Sequence, residues 1–334
     1  MVNTPGVKVV STSALPIDLA GQLTAALPGT VVDVPTSGHV AIDRIDLSDA
    51  DALVCLLLDR IDAALLARAP RLRVVANCAV GHDNVDLAAA TAAGVYVTNT
   101  PDVLTEATAE LAYALLLACA RRLGEGERLI RSGAWTGWAL DQLLGVGLTG
   151  KTLGIIGYGR IGRALARRAL GSSMNVIYAD PGVAPSAAQS PDATRGPLSI
   201  DEVFASADAI SLHCPLTPET HHLVNARRLA LMKPTAVLVN TARGGCVDEP
   251  ALIQALRDGR IAGAALDVYA REPEISRGLL DCPRLVLAPH IGSATIEART
   301  AMAQLCANAV IAVLRGHRPP NLVNNVTPSW NRRS

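Results

Sequence analysis

Residues 152–170 join three local signals in an order that few folds permit: an apolar β-rich run, TLGII, a glycine-spaced turn, GYGRIG, and a helical stretch, RIGRALARRAL. Gly157, Gly159 and Gly162 stand in a G-x-G-x-x-G pattern. The first permits a tight turn, the second lets the backbone approach a pyrophosphate, and the third lets the helix pack closely on the strand. The amides of Arg160 and Ile161 open the helix and face the phosphates, where the helix dipole favours an anion. A glycine turn alone is a weak signal, but here the strand before it and the helix after it supply the context it needs. Asp180 ends the next run, NVIYAD, 18 residues after Gly162. A carboxylate at that place accepts both ribose hydroxyls of NAD and repels a 2′-phosphate. No arginine follows in the PGVAPSA segment, residues 181–187, to receive such a phosphate. NAD is therefore the expected cofactor, as NADH for a reduction, and NADP is disfavoured.

The rest of the chain alternates in the same way, which points to parallel sheets with crossover helices. The runs VKVVST, TVVDV, ALVCLLL, LRVVAN and VYVTNT precede residue 101, with helical candidates at Asp18–Leu27 and Ala63–Ala69. No glycine loop follows the first of these strands, so this opening set is not expected to bind a dinucleotide. A long helical segment begins at Thr105, whose hydroxyl can cap it, and runs through EATAELAYALLLACARRL. Its apolar content exceeds one buried stripe, so burial between domains or in a subunit interface is expected. A Gly/Trp-rich stretch, SGAWTGWALDQLLGVGLTG, leads to the second set: KTLGIIGYG, MNVIYAD, DAISLHC, TAVLVNTA, IAGAALDV and LVLAPH. A final helical pattern runs from Ala294 to about Arg315, too short a tail for another domain. The expected class is α/β, with two Rossmann-like, doubly wound parallel-sheet domains. An NAD-binding domain, residues 101–293, is inserted in a discontinuous substrate (catalytic) domain made of residues 1–100 and 294–334.

Composition narrows the partners. Thirty basic and 30 acidic residues give no net charge in 334 residues, and aromatics are 3 %. Nucleic-acid and anionic-membrane partners, which favour a basic excess and stacking rings, are not expected. The longest apolar run, Leu111–Ala120, is about half a membrane span. MVNTPGVKVV lacks the cationic lead and long apolar core of a signal peptide. Seven cysteines form no CxxC pair and lie mostly in apolar runs, as buried thiols of a reducing compartment would. A cytoplasmic protein is the expectation, and no metal ligand set is assigned.

Three residues carry the chemistry. Arg243 follows the strand AVLVN within TARGG, where two glycines let the backbone crowd a ligand at the carboxyl edge of a parallel strand. Glu272 lies in REPE after the strand AALDV, and alone would read as a solvated loop charge. His290 ends the run LVLAPH ahead of Ile291 and Gly292. Together they suit a 2-oxo acid: an arginine grips a carboxylate in two-pronged fashion, and a carboxylate beside a histidine keeps it protonated as a proton donor. His213, at the end of DAISLHC, is expected to line the cofactor pocket. His39 and His317 lie in presumed surface segments, and His221 and His222 in a polar turn.

The motifs GIIGYGRIG, HCPLTPET, NTARGG, DVYAREPE and APHIGSAT, in this order and spacing, resemble the D-isomer-specific 2-hydroxyacid dehydrogenases. The likeness runs from GHDNVDL to the final helix. It implies Arg243 as binder of the substrate's carboxylate and keto oxygen, His290 as proton donor and Glu272 as its partner. It also implies a small 2-oxo or 2-hydroxy acid substrate and a homodimer built around the helix after Thr105. On the same footing, Thr108, His213, Cys214, Pro215, Thr220, Thr241, Ala242, Asp267, His290 and Gly292 join the cofactor contacts, and the amides of Val80 and Gly81 in NCAVGHDNVDL hold the substrate carboxylate. The segments around TPDVLTEATAELAYALLLACARR and SGAWTGWALDQLLG look most like glyoxylate/hydroxypyruvate reductases, with Trp138, then Trp135, as the residue that approaches a neighbouring subunit's substrate. Val80 stands where a phosphite dehydrogenase is expected to carry lysine. Glu272 stands where a formate dehydrogenase is expected to carry glutamine, which could not hold the histidine protonated. After Arg315 too little chain remains for the regulatory extension of many phosphoglycerate dehydrogenases. A second reading is an NAD-sensing co-regulator with little turnover, although no basic tail or disordered interaction segment supports it. The acid's preferred side chain depends on Leu104, Leu140, Leu143 and nearby loops.

Overall fold

The computed structural model describes residues 6–183 and 194–326, so residues 184–187 of the PGVAPSA segment lie outside the described residues. The chain divides into two compact units, Met1–Leu104 with Ala294–Ser334, and Thr105–Ser293.

In the first unit, β1 (Lys8–Ser11), β2 (Val31–Asp33), β3 (Ala52–Cys55), β4 (Val74–Asn77) and β5 (Tyr96–Thr98) alternate with α1 (Leu19–Ala26), α2 (Ala63–Ala67) and α3 (Leu87–Ala92). The strands form one parallel sheet in the order β2-β1-β3-β4-β5. Successive residues face opposite sides of it. Val10, Leu53, Cys55, Val75 and Val97 pack in one core, and Val9, Ala52, Val54, Val74 and Ala76 in the other. Aspartates start all three helices: Asp18, Asp62 and Asp86 accept hydrogen bonds from the amides of Gly21, Leu65 and Ala89.

The second unit opens with α4 (Thr105–Ala120) and α5 (Leu123–Arg131). Then come β6 (Thr152–Ile156), α6 (Arg160–Gly171), β7 (Asn175–Ala179), β8 (Thr194–Arg195), α7 (Ile200–Ser206) and β9 (Ala209–Leu212). It closes with α8 (Ala226–Leu231), β10 (Val237–Asn240), α9 (Glu249–Arg257), β11 (Gly263–Leu266), α10 (Arg277–Leu280) and β12 (Leu285–Leu287). Its sheet is parallel throughout, in the order β12-β11-β10-β9-β6-β7-β8. The strand order reverses between β6 and β9, and in such sheets ligands bind at the carboxyl ends beside that reversal. The apolar α4 buries Thr108, Ala109, Ala112, Leu115, Leu116 and Cys119 and packs on α6, β10, β11 and β12 of its own unit. The last helix, α11 (Ile296–Leu314), belongs to the first unit and packs on α1, β3, β4 and β5. Its start is capped by the Thr295 hydroxyl, which accepts from the Ala298 amide at 3.1 Å. No helix among the described residues is long and apolar enough to cross a membrane.

Phe204 is the chain's one phenylalanine and is fully buried in the core beneath α7. Phe204→Ala is expected to cost about 3–5 kcal/mol through lost contacts and the cavity left behind, read as a lowered urea midpoint.

Candidate active site

Every strand of the second unit except β8 delivers a predicted site residue to its carboxyl edge. After β6, Gly157 turns the chain at φ +91°, a conformation that favours glycine. A Cβ on Gly157 would meet the backbone of His213 and Cys214 at 2.7 Å, and one on Gly162 would meet the Gly157 carbonyl at 2.3 Å. The turn, the end of β9 and the start of α6 are thus packed backbone to backbone. Gly159, the residue just before α6, is different: a Cβ there would meet nothing within 4 Å. That combination, two glycines enforced by packing and one by open space, fits a pyrophosphate lying against the helix start. Arg160 is exposed and Ile161 partly buried in the first turn of α6.

Asp180 follows β7. Its Oδ2 accepts from the Tyr158 amide at 2.7 Å and its Oδ1 from the Gly182 amide at 2.8 Å. Those bonds fix the carboxylate's orientation and leave each oxygen a second lone pair for a ribose hydroxyl. His213 follows β9, where its Nε2 meets Ser211 Oγ at 2.9 Å. Burial pushes the His213 imidazole down to about 4, so this ring is neutral near pH 7. Cys214 is buried and Pro215 exposed. Thr220 uses its hydroxyl within the loop, donating to the Pro215 carbonyl at 2.6 Å and accepting from the Thr217 amide at 2.7 Å.

After β10, the backbone of Arg243 is extended and a 3-10 turn, Gly244–Cys246, begins. Asn240, fully buried, shapes this turn: its Oδ1 accepts from the Ala242 amide at 3.0 Å and its Nδ2 donates to the Arg243 carbonyl at 2.9 Å. Arg243 Nη1 donates to the Ala242 carbonyl at 2.8 Å. Thr241 Oγ1 is buried without a hydrogen-bond partner among the described residues. A Cβ on Gly244 would land 1.9 Å from the Tyr269 carbonyl carbon, so only glycine lets the Arg243 turn lie against the loop after β11.

That loop carries the acid–base pair. Glu272 Oε1 accepts from the Tyr269 amide at 2.8 Å, and Oε2 meets His290 Nδ1 at 2.6 Å. Burial pushes Glu272 upward, but the His290 bond, the Tyr269 amide and the charges of His290 and Arg243 outweigh it, so the carboxyl lies below its ordinary value. An ionised Glu272 only accepts, so Nδ1 carries the shared hydrogen and Nε2 is left for chemistry.

His290 itself has φ +52°. Its amide donates to the Asp267 carbonyl at 2.9 Å, and the next two amides, Ile291 and Gly292, donate to Asp267 Oδ1 and Oδ2 at 2.7 and 2.8 Å. A Cβ on Gly292 would sit 3.3 Å from Asp267 Oδ2 and 3.4 Å from the Thr108 methyl, which places Thr108 beside this turn. Tyr269 closes the assembly, its hydroxyl donating to the Ala288 carbonyl at 2.7 Å. Sequence reasoning does not single out Asn240 or Tyr269, and it reads Gly244 as room for a ligand where the structure shows it making room for the Tyr269 backbone.

Val80 and Gly81 belong to the first unit, just after β4. Asn99 Nδ2 donates to the Val80 carbonyl at 2.8 Å and Asn77 Nδ2 to the Gly81 carbonyl at 2.9 Å. Asn77 is joined in turn to Asn84, which ties this segment to the Leu56 and Asp59 carbonyls. With both carbonyls held, neither amide has an acceptor among the described residues. Trp138 is 80 % exposed, and Trp135 donates to Gln142 Oε1 at 3.3 Å.

Residues 113–292 match the D-isomer-specific 2-hydroxyacid dehydrogenase, NAD-binding-domain family. Glyoxylate reductases of Thermococcus litoralis and Pyrococcus furiosus are 51 % and 52 % identical over 280 and 282 residues, 83 % of this chain and 84 % and 83 % of theirs. A protein from Thermus thermophilus superimposes with a TM-score of 0.87 at 44 % identity, over 95 % of this chain and all of that one. Two further neighbours were solved with ligands. One is an NADPH-dependent glyoxylate/hydroxypyruvate reductase from Sinorhizobium meliloti with NADP and malonate, at 31 % identity and TM-score 0.81, covering 95 % of this chain and 96 % of its own. The other is a D-lactate dehydrogenase from Aquifex aeolicus with NAD and lactic acid, at 27 % and 0.83, covering 96 % of this chain and all of its own.

Gly159→Ala separates cofactor binding from folding. The added methyl meets no protein atom within 4 Å, so the unliganded protein should keep its fold, with its melting temperature lowered by no more than alanine costs at an N-cap. Its affinity for the reduced nicotinamide cofactor should nevertheless fall by about tenfold or more, roughly 1.4 kcal/mol, in a fluorescence titration.

Proposed function

The chain belongs to the D-isomer-specific 2-hydroxyacid dehydrogenases and is a nicotinamide-dependent 2-oxo acid reductase, and we propose that glyoxylate and hydroxypyruvate are its first substrates, with Arg243, Glu272 and His290 as the catalytic residues. The observation that carries this reading is the 2.6 Å bond between His290 Nδ1 and an ionised Glu272, beside the charge of Arg243.

When bound, the cofactor supplies the hydride that reduces C2 of the acid. Gly157, Gly159, Arg160, Ile161 and Gly162 would hold its pyrophosphate and Asp180 its ribose, with Thr108, His213, Cys214, Pro215, Thr220, Thr241, Ala242, Asp267 and Gly292 around it. NAD is the finer proposal, because the Asp180 charge repels a 2′-phosphate. Arg243 binds the carboxylate and polarises the keto oxygen through its fork of donors. Val80 and Gly81 offer backbone amides to the same carboxylate. His290 Nε2 delivers a proton to the oxygen as it becomes an alkoxide, and Glu272 stabilises the resulting change of charge on the ring by fixing Nδ1–H. We further propose a cytoplasmic homodimer in which Trp138 approaches the partner's substrate. The co-regulator reading is not favoured, given glyoxylate reductases at about half identity over most of the chain.

Initial rates with a panel of 2-oxo acids, with NADH and NADPH in parallel, test both substrate and cofactor. Glyoxylate or hydroxypyruvate with NADH should give the highest kcat/KM; an NADPH preference would overturn the role given to Asp180.

The acid–base pair has a signed pH signature. Glu272 is depressed in the folded protein, so its stabilising contact is full above the ordinary carboxylate range and is lost as pH falls through the depressed value. Glu272→Gln removes the anion that fixes Nδ1–H, so kcat for the reduction should fall by about tenfold or more, roughly 1.4 kcal/mol, with KM for the acid much less affected. An unchanged kcat would refute the pairing.

A further inference from the structure

β5 is the last strand of the first sheet, so one of its edges needs partners for its N–H and C=O groups. Residues 321–324 supply them. Thr98 forms an antiparallel bridge with Leu322, and the Val323 amide donates to the Val97 carbonyl at 2.9 Å. Asn324, 7 % exposed, completes the edge with its side chain in the manner of a backbone peptide. Its Oδ1 accepts from the Val97 amide at 2.9 Å, and its Nδ2 donates to the Val95 carbonyl at 3.0 Å and to Thr91 Oγ1 at 3.1 Å. Leu322 packs in one core of this unit and Val323 in the other, as alternating strand residues do. Asn321 then clasps the Asn99 backbone: its carbonyl accepts from the Asn99 amide at 3.2 Å, and its Nδ2 donates to the Asn99 carbonyl.

From this end of β5 two hydrogen bonds cross to the segment after β4. The Thr100 amide donates to the Ala79 carbonyl, and Asn99 Nδ2 donates to the Val80 carbonyl, both at 2.8 Å. The peptides joining Ala79, Val80 and Gly81 are trans. In a planar trans peptide the N–H points opposite to the C=O. Holding the Ala79 carbonyl therefore sets the direction of the Val80 N–H, and holding the Val80 carbonyl sets that of the Gly81 N–H. These are the two amides that have no acceptor among the described residues.

We propose that Asn99 is a positioning residue for the substrate: the end of β5, latched by Asn321 and Asn324, aims the Val80 and Gly81 amides at the acid's carboxylate. Asn99 acts through the Val80 carbonyl, and Asn321 acts through Asn99. The proposal rests on the reading of those two amides as carboxylate binders.

Asn99→Ala, Asn321→Ala and the double variant of the full chain are compared in two measurements. One is initial rates with the best 2-oxo acid of the panel, and the other is hydrogen exchange of the peptide covering residues 77–84. Asn321 is partly exposed and Val323 and Asn324 still hold the edge, so Asn321→Ala should fold. In Asn99→Ala, KM for the acid should rise about three- to tenfold, the worth of one hydrogen bond, with kcat and cofactor affinity within about twofold. Asn321→Ala should raise KM by less, about two- to threefold, and the double variant should be no worse than Asn99→Ala alone. Exchange at Cys78 and Ala79, whose amides donate to the Cys55 and Asn77 carbonyls, should quicken severalfold. Unchanged exchange overturns the positioning. Faster exchange with an unchanged KM overturns instead the carboxylate reading of Val80 and Gly81, and the proposal with it. Additive KM effects in the double variant overturn the route from Asn321 through Asn99. A fall in kcat alone, in step with a lower melting temperature, leaves Asn99 a structural residue only.

Discussion

The site depends on one buried carboxylate. Asp267 is 1 % exposed and receives the amides of Ile291 and Gly292 on its two oxygens, while its carbonyl receives the amide of His290. Those three bonds hold His290 at φ +52°, a left-handed conformation that costs a residue with a Cβ about 1–2 kcal/mol. Without them the chain after β12 would relax and carry the imidazole away from Glu272. Burial raises Asp267 above its ordinary value, against the two amides and the charge of His290, which lower it. A raised carboxyl contributes stability that is present below its unfolded value and lost as pH rises through the folded one. The ionised Asp267 is therefore a cost to the fold, tolerated where it fixes the geometry of the proposed proton donor.

The same economy governs the Arg243 side of the site. Gly244 has no room for a methyl because the backbone of Tyr269 occupies its place, so the turn bearing Arg243 and the loop bearing Glu272 are one packed unit. Asn240 below and Tyr269 above lock that contact with hydrogen bonds to backbone atoms. A rigid scaffold under three chemical groups is what a reaction needs when each group must meet the substrate within hydrogen-bond reach.

Much of this was legible in the sequence, for reasons of range. The strands, the glycine cradle and Asp180 declare themselves through spacings shorter than about 30 residues, and side-chain period and backbone freedom act over such spans. Arg243 and His290 were readable as strand-end residues. Glu272 acquired its meaning only from family likeness, because nothing in REPE says that a histidine 18 positions later folds back onto it. What stayed hidden is set by tertiary contact: the left-handed His290 and the closed space at Gly244. The apolar α4 shows the same limit. Its composition says that it is buried, and only tertiary contact says that one face lies on β10, β11 and β12 of its own unit.

Asp267 and Glu272 are close enough to influence each other, and each also feels His290, yet the protein drives them in opposite directions. Asp267 is raised because its burial exceeds what two amides return. Glu272 is lowered because an imidazole, an amide and a guanidinium exceed its burial. Two carboxylates around one ring, pushed apart in this way, divide the labour. The raised one commits both oxygens to the amides of Ile291 and Gly292 and so holds backbone and not the ring's proton. The lowered one stays anionic over the working range and keeps its hold on Nδ1–H. The remaining ring nitrogen is then the one left for the proposed proton transfer, and its direction is fixed before any substrate arrives.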